Sequence, residues 1–142
     1  MRYIGLDLGT KTLGISMSNG IIATNYKTIR HNEDYDYLVD EVSKIVIQEK
    51  VDKIVLGFPK NMNNTIGERA NITLEFKEKL EKKTNLEVIL EDERLTSKVA
   101  NQVLIKADTS RKKRKERVDG VASVIILQSY LDRKGKENEW QE

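Results

Sequence analysis

Four consecutive segments near the start of the chain define the predicted sheet: RYIGLDL at residues 2–8, GTK at 9–11, LGISMS at 13–18 and the run from Ile21 to Ile29. The first and third of these segments are rich in β-branched and large apolar side chains, which is typical of buried strands. The GTK segment is a turn, and Asn19-Gly20 is a strong signal for a two-residue hairpin loop. The sequence therefore predicts that the chain opens with an antiparallel meander of three strands.

Beyond the meander, helices alternate with two further apolar strands. The predicted elements are a helix capped by Asn32, a strand at 52–58, a helix begun by a capping box at 65–68, a strand at 86–90, a helix capped by Thr96 or Ser97, and a helix from Val118 to about Leu131. Strands joined through helices run parallel by right-handed crossovers. The predicted fold class is therefore α/β, with a mixed five-stranded sheet (the antiparallel meander plus two parallel strands) and helices on both faces.

Length and composition favour a single domain without cysteine chemistry. The chain has 142 residues, 38% hydrophobic and 34% charged, which is too short for two lobes that close on a nucleotide. The absence of cysteine excludes disulfides and thiolate metal sites, and His31, the single histidine, cannot form a histidine-rich site. No apolar run approaches the ~18 residues needed to span a bilayer, and the start has no signal-peptide pattern. We expect a cytoplasmic protein with no membrane partner, with one domain over 1–133 and a polar, flexible tail over 134–142.

Positive charge is concentrated in one short segment. Residues 111–117 contain six basic residues and one glutamate, a local charge of +5 in a chain whose net charge is +2. Such a segment is either a solvated loop or a local contact for an anion such as a phosphate backbone. Because an apolar helix follows at once, we predict a phosphate-binding loop formed by Lys112, Lys113, Arg114, Lys115 and Arg117.

Three acidic residues lie where a globular domain favours apolar ones. Asp7 is inside the first strand, Glu93 directly follows the fifth, and Asp119 is in the first turn of the apolar final helix. A carboxylate in a central strand is costly unless it is paired, bound to metal or exposed in a cleft. Each also has an ordinary alternative: a turn cap, a solvated acid at a strand end, or a favourable contact with the helix dipole.

Together, the three acids suit a divalent cation. Mg²⁺ prefers oxygen ligands and is held by a few carboxylates together with substrate phosphate oxygens. Two such ions, ~3.5–4 Å apart, can activate a water and stabilise the leaving oxygen in phosphodiester cleavage. This chemistry needs no histidine or cysteine nucleophile.

Four motifs occur in an order that resembles the YqgF family. They are DLGTKTLG at 7–14, GFPKNM at 57–62, DERLTS at 92–97 and VDGVAS at 118–123. The family comprises proposed pre-16S rRNA nucleases, also called Holliday-junction-resolvase-like proteins. One motif alone would be weak support, since an Asp-x-Gly-Thr turn also opens actin-like ATPases, but four in order over nearly the whole chain form a specific match.

The resemblance implies a ribonuclease H-like fold and a metal-dependent endonuclease that processes the 5′ end of precursor 16S rRNA, with Mg²⁺ or Mn²⁺ as cofactor. It implies that the metal-binding and catalytic acids are Asp7, Glu93 and Asp119, although Asp92 belongs to the same motif as Glu93. It also implies that the cleft is lined by Thr10, Lys11, Asn61, Arg94 and Thr96. The sequence departs from the family pattern at two positions, with Gly120 where many relatives carry Ser or Ala and Arg117 where Lys is common. Both departures keep the three acids and the positive charge.

Three other functions remain open. An ATPase would need a second lobe and another phosphate loop, which the length disfavours. A nucleic-acid-binding ribosome-assembly factor would keep the acidic cleft without turnover, and a resolvase would act on branched DNA. The expected partners are structured RNA such as precursor rRNA, with branched DNA and ribosomal particles as further candidates, and the expected state is a monomer or weak homodimer.

Overall fold

The computed structural model describes residues 1–59, 67–92 and 111–140, and within 111–120 and 136–140 it describes the helical backbone but not the side chains. One five-stranded sheet forms the centre of the fold. Its strands are β1 (Tyr3–Leu8), β2 (Thr12–Ser18), β3 (Ala23–Arg30), β4 (Lys53–Phe58) and β5 (Val88–Asp92). The strand order is β3-β2-β1-β4-β5, so that β1 is central. The β1–β2 and β2–β3 pairs are antiparallel and the β1–β4 and β4–β5 pairs are parallel, which confirms the predicted mixed sheet.

The described helices cover both faces of the sheet, as predicted. Helices α1 (Tyr35–Gln48) and α2 (Glu68–Thr84) pack on one face, and α3 (Arg111–Trp140) packs on the other. Side chains alternate between the faces along each strand. Ile4, Leu6 and Leu8 of β1 therefore enter the core beneath α1 and α2, whereas Tyr3 packs against α3.

Three local signals differ from the sequence prediction. The cap of α1 is Asp34, whose Oδ1 accepts a hydrogen bond from the backbone N–H of Tyr37 at 3.1 Å, and not Asn32. Helix α2 is capped by Gly67, so Glu68 is its first residue and cannot complete the predicted capping box, which needs the acid at the third helical position. The β2–β3 connection spans residues 19–22, with Gly20 at φ 116°, because pairing stops at Ser18 and Ala23.

The prediction of a basic loop was wrong. Residues 111–117 form the start of α3, and the helix continues to Trp140, well beyond the predicted end near Leu131. Lys, Arg and Glu are good helix formers, so a strongly charged segment can be helical without an apolar face. The helix predicted from Thr96 or Ser97 lies outside the described residues, and the division into a domain over 1–133 and a flexible tail stays a prediction. No helix in the described part of the chain is long and apolar enough to cross a membrane.

Candidate active site

Asp7 lies near the carboxyl end of the central strand and is half-buried. Alternation along β1 places it on the face covered by α3, together with Tyr3 and Gly5. On that face its neighbour across β2 is Gly14, and the next residue of β4 after the Leu6–Leu56 pair is Gly57. Both flanking positions on this face are therefore glycines, which carry no side chain.

The acids at the end of β5 point to opposite faces of the sheet. Glu91 is buried on the α3 face, where Arg133 Nη1 donates to its Oε1 at 2.8 Å and Arg133 Nη2 lies 2.7 Å from its Oε2. Asp92 pairs in register with Phe58 and lies on the opposite face, exposed at the strand end. Asp92 is therefore on the wrong side of the sheet to join Asp7, and Glu93 lies outside the described residues.

A buried hydroxyl network fixes α3 on the sheet. Ser16 Oγ donates to the carbonyl oxygen of Ser123 at 2.9 Å, and Ser123 Oγ lies 3.0 Å from both the carbonyl oxygen of Gly5 and Ser16 Oγ. Both serines are fully buried. A buried hydroxyl without partners is costly, so this network holds the helix at one position along β1.

Helix α3 runs antiparallel to β1. Tyr3 contacts Tyr130, with ring centroids 6.0 Å apart, whereas Gly5, two residues further along the strand, lies against Ser123 and Leu127. Asp119 lies within the helix one turn before Ser123. The backbone of the predicted third acid is thus on the helix that covers Asp7, although its side chain is not described.

The turn after Asp7 is held by His31, whose role the sequence did not indicate. Glu33 N–H donates to His31 Nδ1 at 3.0 Å, so the ring proton is assigned to Nε2, which donates to the carbonyl oxygen of Gly9 at 2.9 Å. The backbone N–H of His31 donates to the carbonyl oxygen of Lys11 at 2.9 Å. This buried side chain therefore fixes the segment that carries Thr10 and Lys11.

A second residue missed by sequence reasoning is Arg69 of α2. Its Nη2 donates to the carbonyl oxygen of Leu8 at 3.1 Å. Arg69 and His31 thus bind the carbonyl groups of the two residues that follow Asp7. Sequence analysis could not identify these two residues because both are far in sequence from the motif whose turn they contact.

We expect replacement of His31 by leucine to lower the free energy of unfolding by about 1–3 kcal/mol, since the Gly9 carbonyl and the Glu33 N–H both lose a partner. Urea denaturation measures this change. His31→Gln, which keeps a donor for Gly9, should recover part of the loss. If the leucine variant unfolds at the wild-type urea concentration, His31 does not hold the turn.

The other predicted site residues fall into two groups. Lys112, Lys113, Arg114, Lys115 and Arg117 lie in the first turns of α3, where only the helical backbone is described. Glu93, Asn61, Arg94 and Thr96 lie outside the described residues. Among the side chains that the structure does describe, no three His, Asp or Glu residues gather into a potential metal site.

Comparison with known proteins agrees with this architecture. A family model described as "RuvX: Holliday junction resolvase" matches residues 1–133. A Bacillus mycoides (strain KBAB4) protein named "Putative pre-16S rRNA nuclease" is 50% identical over 137 residues, which cover 94% of this chain and 100% of that protein. A Bacillus subtilis (strain 168) protein of the same name is 50% identical over 135 residues, covering 93% and 98%.

Among solved structures, Thermus thermophilus RuvC in complex with a Holliday junction substrate superimposes with a TM-score of 0.58 and 11% identity, over 95% of this chain and 96% of that one. At this identity the likeness shows the fold alone, and it confirms the expected ribonuclease H-like architecture. The family match and the identities near 50% establish the relationship. The chain belongs to the RuvX family of nucleases, the same family as the YqgF proteins that its motifs resemble.

Proposed function

We propose that this protein is a cytoplasmic, metal-dependent endonuclease that hydrolyses phosphodiester bonds during 5′-end processing of precursor 16S rRNA. The observation that carries the proposal is Asp7, a half-buried carboxylate at the carboxyl end of the central strand with glycines on both neighbouring strands. Ligands of open α/β sheets bind at the carboxyl ends of the strands. A carboxylate at this edge of the sheet fits the binding of a cation and a phosphate.

The face that Asp7 shares with α3 supports Glu93 as the second acid. Asp92 lies on the opposite face, and Glu91, on the correct face, is engaged by Arg133. Glu93 is the remaining acid of the motif and follows Glu91 by two residues, so a chain that continued extended beyond β5 would put both on the same face. We therefore assign the second acidic role to Glu93.

The spacing along α3 supports Asp119 as the third acid. Two strand residues, from Gly5 to Asp7, advance about 6.6 Å. Four helix residues, from Ser123 back to Asp119, advance about 6 Å in the same direction, because α3 is antiparallel to β1. Because Gly5 contacts Ser123, these similar advances favour a position of Asp119 at the same distance along β1 as Asp7.

Carboxylate oxygens are the ligands that Mg²⁺ and Mn²⁺ prefer, so Asp7, Glu93 and Asp119 are the residues that would hold these ions. When bound as a pair, such ions supply an activated water and neutralise charge on the leaving oxygen. The chain's own cations bind the substrate. Lys11 and the exposed Thr10 contact phosphate oxygens at the sheet edge, as do Arg94 and Thr96, and Asn61 provides a neutral hydrogen bond.

The basic start of α3 provides a second contact with the substrate. Lys112, Lys113, Arg114, Lys115 and Arg117 precede Asp119 on the same helix. A helix that carries both phosphate-binding cations and a metal-binding acid binds the backbone on either side of the scissile bond without a separate loop.

RNA is the favoured substrate because relatives near 50% identity carry the name of an rRNA nuclease, whereas the likeness to a junction-bound resolvase is at 11% identity. The test compares a 5′-extended precursor 16S rRNA, free and in immature ribosomal particles, with a four-way DNA junction, in Mn²⁺, Mg²⁺ or EDTA. We expect discrete RNA cleavage only with a divalent ion. Cleavage of the junction alone would make the protein a resolvase, and salt-sensitive binding without cleavage would make it an assembly factor.

A further inference from the structure

A second feature lies at the same edge of the sheet and extends from the turn that follows Asp7 to the end of β3, two strands away. It is an open pocket of about 560 Å³, lined by Thr10, Lys11, Arg30, His31, Asn32 and Glu33. The edge is shared because β1 ends at Leu8, β2 begins at Thr12, and Thr12 pairs with Arg30 at the end of β3. The pocket is thus continuous with the turn that follows Asp7.

The pocket contains two cations that pair with no carboxylate in the described part of the chain. Lys77, Lys79 and Lys83 all form ion pairs with described acids, but Lys11 and Arg30 do not. Among the described residues of the lining, Lys11 and Arg30 are cationic and Glu33 is the one carboxylate, so these three side chains carry a net charge of +1. Such a lining favours an anion.

Hydrogen bonds hold the backbone around the pocket together. His31 is buried at its base, and its backbone and ring bind the carbonyl groups of Lys11 and Gly9. Arg30 is the residue immediately before His31, so the two cations are attached to backbone segments that are bonded to each other. Backbone segments that are already held together lose less entropy on binding than two mobile ones.

The distance from Asp7 fits a neighbouring phosphate of the same strand. Adjacent strands lie about 4.8 Å apart, so β3 is roughly 10 Å from β1 across the edge. Each nucleic acid strand of a duplex carries one phosphate per ~3.4 Å of axis. If the scissile phosphate of a nucleic acid lies at Asp7, another phosphate of the same nucleic acid strand lies at the pocket, about three nucleotides or fewer from the scissile one.

We infer that this pocket is a phosphate subsite that binds the nucleic acid backbone within three nucleotides of the scissile bond, with Arg30 and Lys11 as its cationic ligands. The inference rests on the proposed nuclease function and extends it to Arg30, which lies outside the four motifs. Arg30 contacts substrate away from the reacting atoms, so it acts on binding and not on the chemical step.

The test compares Arg30→Gln with Lys27→Gln, which removes the same charge from the same exposed strand away from the pocket. Binding of a fluorescein-labelled RNA that spans the 5′ processing site is measured by anisotropy at several salt concentrations, and cleavage at saturating protein is measured separately. For Arg30→Gln we expect a Kd raised about three- to tenfold and an unchanged single-turnover cleavage rate. The salt slope, which is the slope of log affinity against log salt concentration, should be shallower by about one. Arg30→Lys should restore most of the slope, and Glu33→Gln should tighten binding.

Neutral methylphosphonate linkages, placed singly along the RNA, locate the contact. One position within three nucleotides of the cleavage site should weaken binding by the wild type but not by Arg30→Gln. Equal salt slopes for the Arg30→Gln and Lys27→Gln variants would overturn the subsite while the nuclease function stands. A wild-type protein that neither binds nor cleaves the RNA would instead overturn the proposed function, and the subsite with it.

Discussion

Asp7→Asn is expected to lower metal-dependent cleavage by on the order of 10³-fold or more, while nucleic acid binding stays equal or becomes tighter. Asparagine has nearly the same shape as aspartate, but it carries no charge and offers only one acceptor oxygen to a hard cation. The variant also removes one negative charge from a cleft that binds phosphate, which explains the opposite effect on affinity. Single-turnover cleavage in Mn²⁺ and anisotropy with the same RNA measure the two effects.

Asp92→Asn is the matched control for this experiment. It removes the same charge near the same edge, but Asp92 lies on the opposite face of the sheet from Asp7. We expect near wild-type cleavage by Asp92→Asn and a loss comparable to that of Asp7→Asn for Glu93→Gln and Asp119→Asn. Wild-type cleavage by all three active-site variants would mean that another site, or a contaminating nuclease, produces the activity.

Gly5→Ala is expected to lower the free energy of unfolding by about 1–3 kcal/mol or more and to impair cleavage as well. A Cβ at this position would lie 2.7 Å from Leu127 Cβ and 3.2 Å from the Ser123 carbonyl oxygen, and would also collide with Ser16 Oγ. Two of these three neighbours belong to α3 and cannot rotate away, so the helix must shift outward. That shift would separate Asp119 from Asp7.

Gly135→Ala is the matched control, because it makes the same substitution in α3 at a position without close packing. No atom of the described residues lies within 4 Å of a Cβ at this position, and alanine is the better helix former by up to about 1 kcal/mol. We expect urea denaturation to show lower stability for Gly5→Ala and equal or higher stability for Gly135→Ala, with wild-type cleavage by the latter. If both variants unfold at the same urea concentration, close packing at Gly5 does not fix α3.

The strands and their faces could be predicted because their pattern is local. The apolar run at residues 2–8 indicates β1, and an acid within it already indicates a functional site. The residues that cap the helices could not be predicted as exactly. Asn32 and Asp34 are equally good capping residues by type, so residue type alone could not identify Asp34 as the cap.

The parts of the site that sequence did not indicate arise from contacts between distant elements. His31 is 22 residues from the Gly9 carbonyl that it binds, and Arg69 is 61 residues from that of Leu8. The polarity of the basic segment predicts a loop, whereas the helix propensity of its residues agrees with the helix that forms. A run of Lys and Arg has no apolar periodicity to reveal a helix, even though each residue favours one.

The anchoring of α3 by Ser123 places a constraint on chain length. One residue inserted between Asp119 and Ser123 would rotate position 119 by about 100° around the helix axis, since a full turn takes ~3.6 residues. The hydroxyl network would still lock the later part of the helix to β1 and β2. This four-residue interval can therefore accept no gain or loss of a residue, so its length is restrained independently of its composition.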